Sequence, residues 1–255
     1  MTDSVSTEST TRRRRWRWPS WVEPMVTRVV FSAFVLYALG VVLFEHSGQY
    51  QNYVSPFFSP PLGQWLSVPV APAVLVAWIP LLFRGTCYYY RREYYHAFAA
   101  DPFVCGVRER PGRAYTGERK WPWVFNNSHR YWWYLAVIVL LFLWKDTVSA
   151  FVFHGHFGIG LGSIILLINV VLLTGYTLSC HAFRHLVGGN RDCFTCPQRV
   201  AAPRPSTRFR LWRSISGWNR HHGSLAWASM ASVWAADVYI RLLMAHIIPD
   251  VRFLK

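Results

Sequence analysis

An all-α fold, a bundle of five transmembrane helices with the N-terminus cytoplasmic and the C-terminus outside, is what three features of this 255-residue sequence predict. Hydrophobic residues make up 53% of the chain and charged residues only 15%, against the roughly 25% charged residues of an ordinary soluble domain. Five apolar segments each approach the ~20 residues that a helix needs to cross a bilayer core, where backbone polar groups must be satisfied within the segment itself. The arginines and lysines gather at one set of segment ends, the asymmetry that orients membrane bundles.

The elements follow in chain order. Residues 1–25 are a polar tail that turns basic at Arg12 to Arg15, Trp16, Arg17 and Trp18, with no short apolar core and small-residue cleavage site of the kind a signal peptide carries. Val26 to Phe44 is long enough to span and ends at Glu45-His46, so it is read as a retained first helix. Leu66 to Phe83 contains Pro69, Pro72 and Pro80, which predict a kinked or partly unwound second span. Tyr131 to Phe153, Phe157 to His181 and Gly223 to Ile248 complete a membrane domain over 26–248, with cytoplasmic loops 84–130 and 182–222 and a short tail, 249–255. Lys145, Asp146 and Asp237 fall inside spans, where a charge costs roughly 2.5 to 3.5 kcal/mol, so they should face the bundle. An ion pair between Lys145 and one aspartate is expected, with a proton route as the alternative. No internal repeat is evident.

Six basic residues lie in 1–28, nine in 84–130 and eight in 184–222, against none in 45–66 or 153–157. The net charge of +15 is therefore a topology signal and a surface for anionic lipid, and nucleic acid is excluded as a partner. Trp65, Trp121, Trp123, Trp132, Trp133 and Trp218 cluster near the proposed interfaces as an aromatic belt. The location implied is the plasma membrane, multi-pass, with the N-terminus and basic loops cytoplasmic.

All five cysteines, Cys87, Cys105, Cys180, Cys193 and Cys196, fall on the cytoplasmic side of this topology. That compartment is reducing, which leaves metal ligation or plain burial rather than disulfides. His129, His181, His185 and His222 mark the inner ends of the third, fourth and fifth helices, beside those thiols. His181 and His185 share a helix face at spacing i, i+4, and Gly188-Gly189 should end their helix. Cys193 and Cys196 form a Cys-x-x-Cys pair whose sulfurs could reach one metal ion, although two sulfurs alone leave a tetrahedral site incomplete.

Four motifs in order, Arg84-Gly-Thr-Cys-Tyr-Tyr-Tyr-Arg91, Asn126-Asn-Ser-His-Arg-Tyr131, Ser179-Cys-His-Ala-Phe-Arg-His-Leu-Val-Gly-Gly189 and the stretch from Asn219 to Ser229 containing His222, give the chain its resemblance to a known family. It resembles the single membrane subunit of the actinobacterial type of succinate dehydrogenase, respiratory complex II, from the second helix to the C-terminus. The resemblance implies a chain that anchors a flavoprotein subunit carrying FAD and an iron–sulfur subunit, and that passes electrons to a membrane quinone, menaquinone or ubiquinone. It also implies a Rieske-type [2Fe–2S] cluster, which takes two thiolates on one iron and two imidazoles on the other. His129 and His222 are then the favoured imidazoles, with His181 and His185 in reserve. Cys87 with Cys105 or Cys180 are the favoured thiolates, and Cys193 and Cys196 stay open. Arg84, Tyr131 and Trp132 are the quinone-binding candidates.

Succinate oxidation itself belongs to a partner, since this chain has no flavin-binding or succinate-binding motif. A haem b anchor with two imidazole ligands is the alternative within redox chemistry. A non-redox transporter or scaffold with a zinc site is the alternative outside it. Quinone, membrane lipid and the two soluble subunits are the partners implied, and a higher oligomer of the whole complex stays open.

Overall fold

The computed structural model describes residues 19, 21–60, 73–98, 119, 121, 123–153, 155–189 and 207–254. Helix α1 (Val22–Phe44) is largely apolar beyond Arg28 and buries only Thr27 and Val41, the pattern of a helix facing lipid. Helix α2 (Val74–Gly85) contains Pro80 and is followed after Thr86 and Cys87 by α3 (Tyr88–Phe98). A 3₁₀ turn over Trp123–Ser128 leads into α4 (His129–Ser149). Helix α5 (Leu161–Leu178) returns, and the short α6 (His181–Val187) follows it. Gly188 and Gly189 stop α6 as the sequence predicts, Gly189 taking φ +68°, a conformation open to a residue without Cβ. Helices α7 (Thr207–Asn219) and α8 (His222–Met244) complete the helical set.

Three helical stretches, α1, α4 with its lead-in turn, and α5, are long and apolar enough to cross a membrane among the described residues. That is two fewer than the five spans expected. Helix α2 is apolar but has 12 residues, and the rest of its predicted segment, 66–72, lies outside the described residues. Helix α8 has the length, 23 residues, but interrupts its apolar run with serines, Asp237 and Arg241. It is the centre of the packing nonetheless, and its contact with α5 is the most extensive among the described residues. Ser232 of α8 donates to Asn169 of α5 at 3.0 Å within that interface.

The end opposite Cys87 and Cys180 is not helical, which departs from the all-α reading. Three small antiparallel ladders form there: β1 (Gln49–Tyr50) with β2 (Tyr53–Val54), β3 (Val152–Phe153) with β4 (His156–Phe157), and β5 (Ile159–Gly160) with β6 (Arg252–Leu254). They satisfy backbone groups where the chain reverses between helices. One core layer, built round Tyr53, Phe153, Leu166 and Ile240, sits under these ladders, and another, built round Phe83, Tyr90, Trp133 and Tyr176, sits at the cysteine end.

The charges inside the helices find partners other than those expected. Asp237, fully buried, pairs with Arg241 one turn on at 2.7 Å and accepts from the hydroxyls of Tyr37 and Ser55. Arg241 also reaches Glu45 at 3.3 Å. Asp146 accepts from Ser59 at 2.6 Å. Lys145 is exposed and makes no ion pair among the described residues, so the Lys145–aspartate pair is replaced by one internal to α8. The reason is spacing: Asp237 and Arg241 stand i, i+4 on one helix, whereas Lys145 lies on the outward side of α4.

Candidate functional site

Two helix ends carry the same five-residue pattern. Helix α2 closes as Phe83-Arg84-Gly85-Thr86-Cys87, and α5 closes as Tyr176-Thr177-Leu178-Ser179-Cys180: an aromatic, then a hydroxyl residue three positions on, then cysteine. At each end the chain leaves the helix at the hydroxyl residue, whose backbone N–H still bonds back into it, to Leu82 O at 2.9 Å from Thr86 and to Gly175 O at 3.0 Å from Ser179. Cysteine, free of the helix, is thereby turned into the core: Cys87 is 2% exposed and Cys180 1%. Facing these two ends are the first residues of the other two helices, His129 of α4 and His222 of α8.

The two halves are interlocked. His129 stacks on Phe83 with ring centroids 5.1 Å apart, meets Thr86 Oγ1 with Nδ1 at 3.0 Å, and meets Cys180 Sγ with Nε2 at 3.1 Å. His222 stacks on Tyr176 at 4.8 Å, meets Ser179 Oγ with Nδ1 at 2.8 Å, and meets Cys87 Sγ with Nε2 at 3.4 Å. Each helix end thus holds one imidazole through its aromatic and hydroxyl residues and offers its thiol to the other.

The electrostatics of the pocket favour neutral side chains in the protein alone. Burial pushes the Cys87 thiol above its ordinary range, against a smaller opposing pull from the amides of Tyr90 and Tyr89, the nearby Tyr176 hydroxyl and Arg84. Burial likewise pushes Cys180 up, and the neighbouring Cys87 adds to the rise. Arg84 lies against the same group. Its guanidinium donates to Tyr90, to Ala226 O at 3.2 Å and to Ser229 at 3.0 Å, and stands 4.7 Å over the Tyr176 ring. Tyr176 is fully enclosed, and its hydroxyl has no hydrogen-bond partner among the described residues. Tyr89 closes the pocket over Gly223, where an added Cβ would stand 2.5 Å from the Tyr89 ring.

Of the residues expected from sequence, the structure brings together Cys87, Cys180, His129, His222 and Arg84. His185 Nδ1 accepts from Arg130 at 2.5 Å, and His181, exposed on the same short helix, stands close enough to His129 and His222 to act on both electrostatically. Tyr131 is 68% exposed, and Trp132 packs edge-on against Trp78 at 5.5 Å while donating to Ser128. Cys105, Cys193 and Cys196 lie outside the described residues. Sequence reasoning passed over Phe83, Thr86, Tyr176 and Ser179. Their signal was the repeated aromatic-x-x-Ser/Thr-Cys pattern. Among the described residues no three His, Cys, Asp or Glu side chains converge to hold a single metal ion; the donors come as two thiol–imidazole pairs.

The family described as actinobacterial succinate dehydrogenase subunit SdhC matches over residues 22–246. The chain belongs to this family. A solved structure, the Mycobacterium smegmatis Sdh1 complex in the apo form, contains a chain to which it is similar, with 33% identity over 99% of this chain and 97% of that one and a TM-score of 0.76. No curated protein matches in sequence. The protein is a membrane subunit of succinate dehydrogenase and so part of an enzyme complex.

Proposed function

We propose that the chain is the membrane anchor and electron-relay subunit of a succinate:quinone oxidoreductase, and that Cys87, Cys180, His129 and His222 hold a Rieske-type [2Fe–2S] cluster. The observation that carries this reading is the pair of buried thiol–imidazole contacts, Cys87 with His222 and Cys180 with His129. Two thiols and two imidazoles in one buried pocket are the donor set such a cluster takes, two thiolates for one iron and two imidazoles for the other. The enclosed Tyr176 hydroxyl beside Cys87 supports the fit, because a sulfur of a bound cluster would accept from it. When bound, a cluster with two imidazole ligands transfers one electron at about −150 to +300 mV, against about −400 mV for an all-thiolate plant-type site.

The chain's own residues supply the rest. Cys87 and Cys180 would hold the cluster as thiolates, and that charge would sit beside the Arg84 guanidinium. Phe83, Tyr176 and Tyr89 cover the imidazoles and exclude water. Arg84, fixed by Tyr90 and Ser229, is the best placed of the quinone candidates to hold a quinone oxygen near the donors. Tyr131, exposed on the first turn of α4, is accessible to a quinone in lipid. The basic segments, with 23 of the 27 arginines and lysines, form the cytoplasmic face on which the flavoprotein and iron–sulfur subunits dock and to which anionic lipid binds.

An iron and labile-sulfide assay of the purified complex, with its visible spectrum, tests this. The expected result is iron and sulfide in excess of the partner subunits' clusters, with no sharp haem bands on reduction. Haem bands with no excess sulfide would favour the bis-imidazole anchor, and zinc in place of the excess iron would favour the scaffold.

A further inference from the structure

Each imidazole in the pocket has its proton placed by a hydroxyl. Thr86 Oγ1 lies 2.7 Å from the carbonyl of Leu82, and Ser179 Oγ lies 3.0 Å from the carbonyl of Tyr176. A carbonyl oxygen only accepts, so both hydroxyl protons are committed to the backbone. The same oxygens stand 3.0 Å from His129 Nδ1 and 2.8 Å from His222 Nδ1. With their single protons spent, they can only accept there, and the imidazoles must donate. That arrangement puts the ring proton at Nδ1 and turns both Nε2 atoms to the thiols, Cys180 for His129 and Cys87 for His222.

We infer that Thr86 and Ser179 are positioning residues that lock His129 and His222 in the Nδ1–H tautomer and so direct the two Nε2 lone pairs at the cluster position. Two independent halves of the chain reach this arrangement with the same local pattern, a hydroxyl three residues after the stacking aromatic and one before the cysteine. Thr86 is 4% exposed and Ser179 0%, so neither hydroxyl has water as a competing partner. An acceptor behind a ligating imidazole makes that ring a stronger donor to metal. It therefore favours the oxidised iron and lowers the potential. The inference rests on His129 and His222 being ligands, and its tautomer part is testable without any cluster.

The experiment has two arms. In the first, the full chain is labelled with ¹⁵N-histidine in lipid, and its nitrogens are assigned by loss of signal in His129→Gln and His222→Gln. Both histidines should show protonated Nδ1 and unprotonated or metal-bound Nε2; a protonated Nε2 on either ring overturns the inference, whatever the protein binds. In the second, Thr86→Val and Ser179→Ala complexes are titrated redox-potentiometrically by paramagnetic resonance, with Thr86→Ser as the conservative control. A tenfold shift in the imidazole's preference for oxidised iron raises the potential by about 59 mV in each variant, and Thr86→Ser should restore the parent value. Unchanged potentials and nitrogen couplings in both variants would make the hydroxyls merely structural. A parent complex without any Rieske-like signal would instead refute the proposed cluster and leave the nitrogen spectra to decide the tautomers.

Discussion

Replacing Asp237 tests the packing that holds the four helix ends in place. Asp237→Ala removes a carboxylate that is fully buried, is bonded to Arg241 at 2.7 Å and accepts from Tyr37 and Ser55. Breaking a buried ion pair costs about 3–5 kcal/mol, chiefly because the other charge is left uncompensated. Here Arg241 retains Glu45 at 3.3 Å, but that carboxylate is half exposed, so the expected cost is at the lower end, about 3 kcal/mol. For a chain of this length each kcal/mol moves the midpoint by about 2–4 °C, which gives a fall in Tm of about 6–12 °C. Thermal unfolding of the purified complex in detergent, read by tryptophan fluorescence, measures it. Asp237→Asn keeps an acceptor for the two hydroxyls and should fall part of the way. Lys145→Ala, which removes no partner, should stay within about 0.5 kcal/mol of the parent. A Tm for Asp237→Ala equal to that of Lys145→Ala would refute the account of α8 as an internally paired central helix.

The other expectations follow from the same geometry. Arg84→Ala loses charge-assisted hydrogen bonds worth about 1.5–3 kcal/mol and removes a positive charge beside the thiols, so the complex should melt earlier and its cluster potential should fall in redox titration. Gly223→Ala sets a methyl 2.5 Å from the Tyr89 ring, and overpacking of about 1–3 kcal/mol should appear as a lower melting point with Tyr89→Ala as the relieving second change. Because burial raises the Cys87 and Cys180 thiols, metal-depleted protein should hold its stability below the unfolded thiol value of about 8.5 and lose it as pH rises past that point; melts at pH 7 and pH 9.5 that coincide would contradict the burial argument. A reporter after Lys255 should read outside and one replacing Met1 to Thr10 inside, and labelling of both from one side would end the five-span topology.

What the sequence made legible and what it hid can be separated by physical scale. His129 and His222 were legible because hydropathy marks where an apolar helix begins, and a histidine at that edge stands out. That Cys180 lies in the same pocket as Cys87 was not, since it depends on α2 and α5 ending at the same depth, a tertiary fact. Thr86 and Ser179 looked like ordinary helix-end residues; only folding sets their hydroxyls behind the two rings. The β ladders were invisible because strands of two or three residues have no period to detect. Asp237 and Arg241 were readable as an i, i+4 pair, but the nearer sequence neighbours Lys145 and Asp146 drew the expectation away.

The most direct test of the central claim is the paramagnetic resonance spectrum of the succinate-reduced complex carrying His129→Ala and His222→Ala together, recorded after assembly with the partner subunits is verified. The account predicts that the Rieske-like signal of the parent disappears while the partner's own cluster signals and its oxidation of succinate by an artificial acceptor remain. A spectrum that keeps the parent signal in the assembled double variant would contradict the assignment of these two imidazoles, and with it the site built from Cys87 and Cys180.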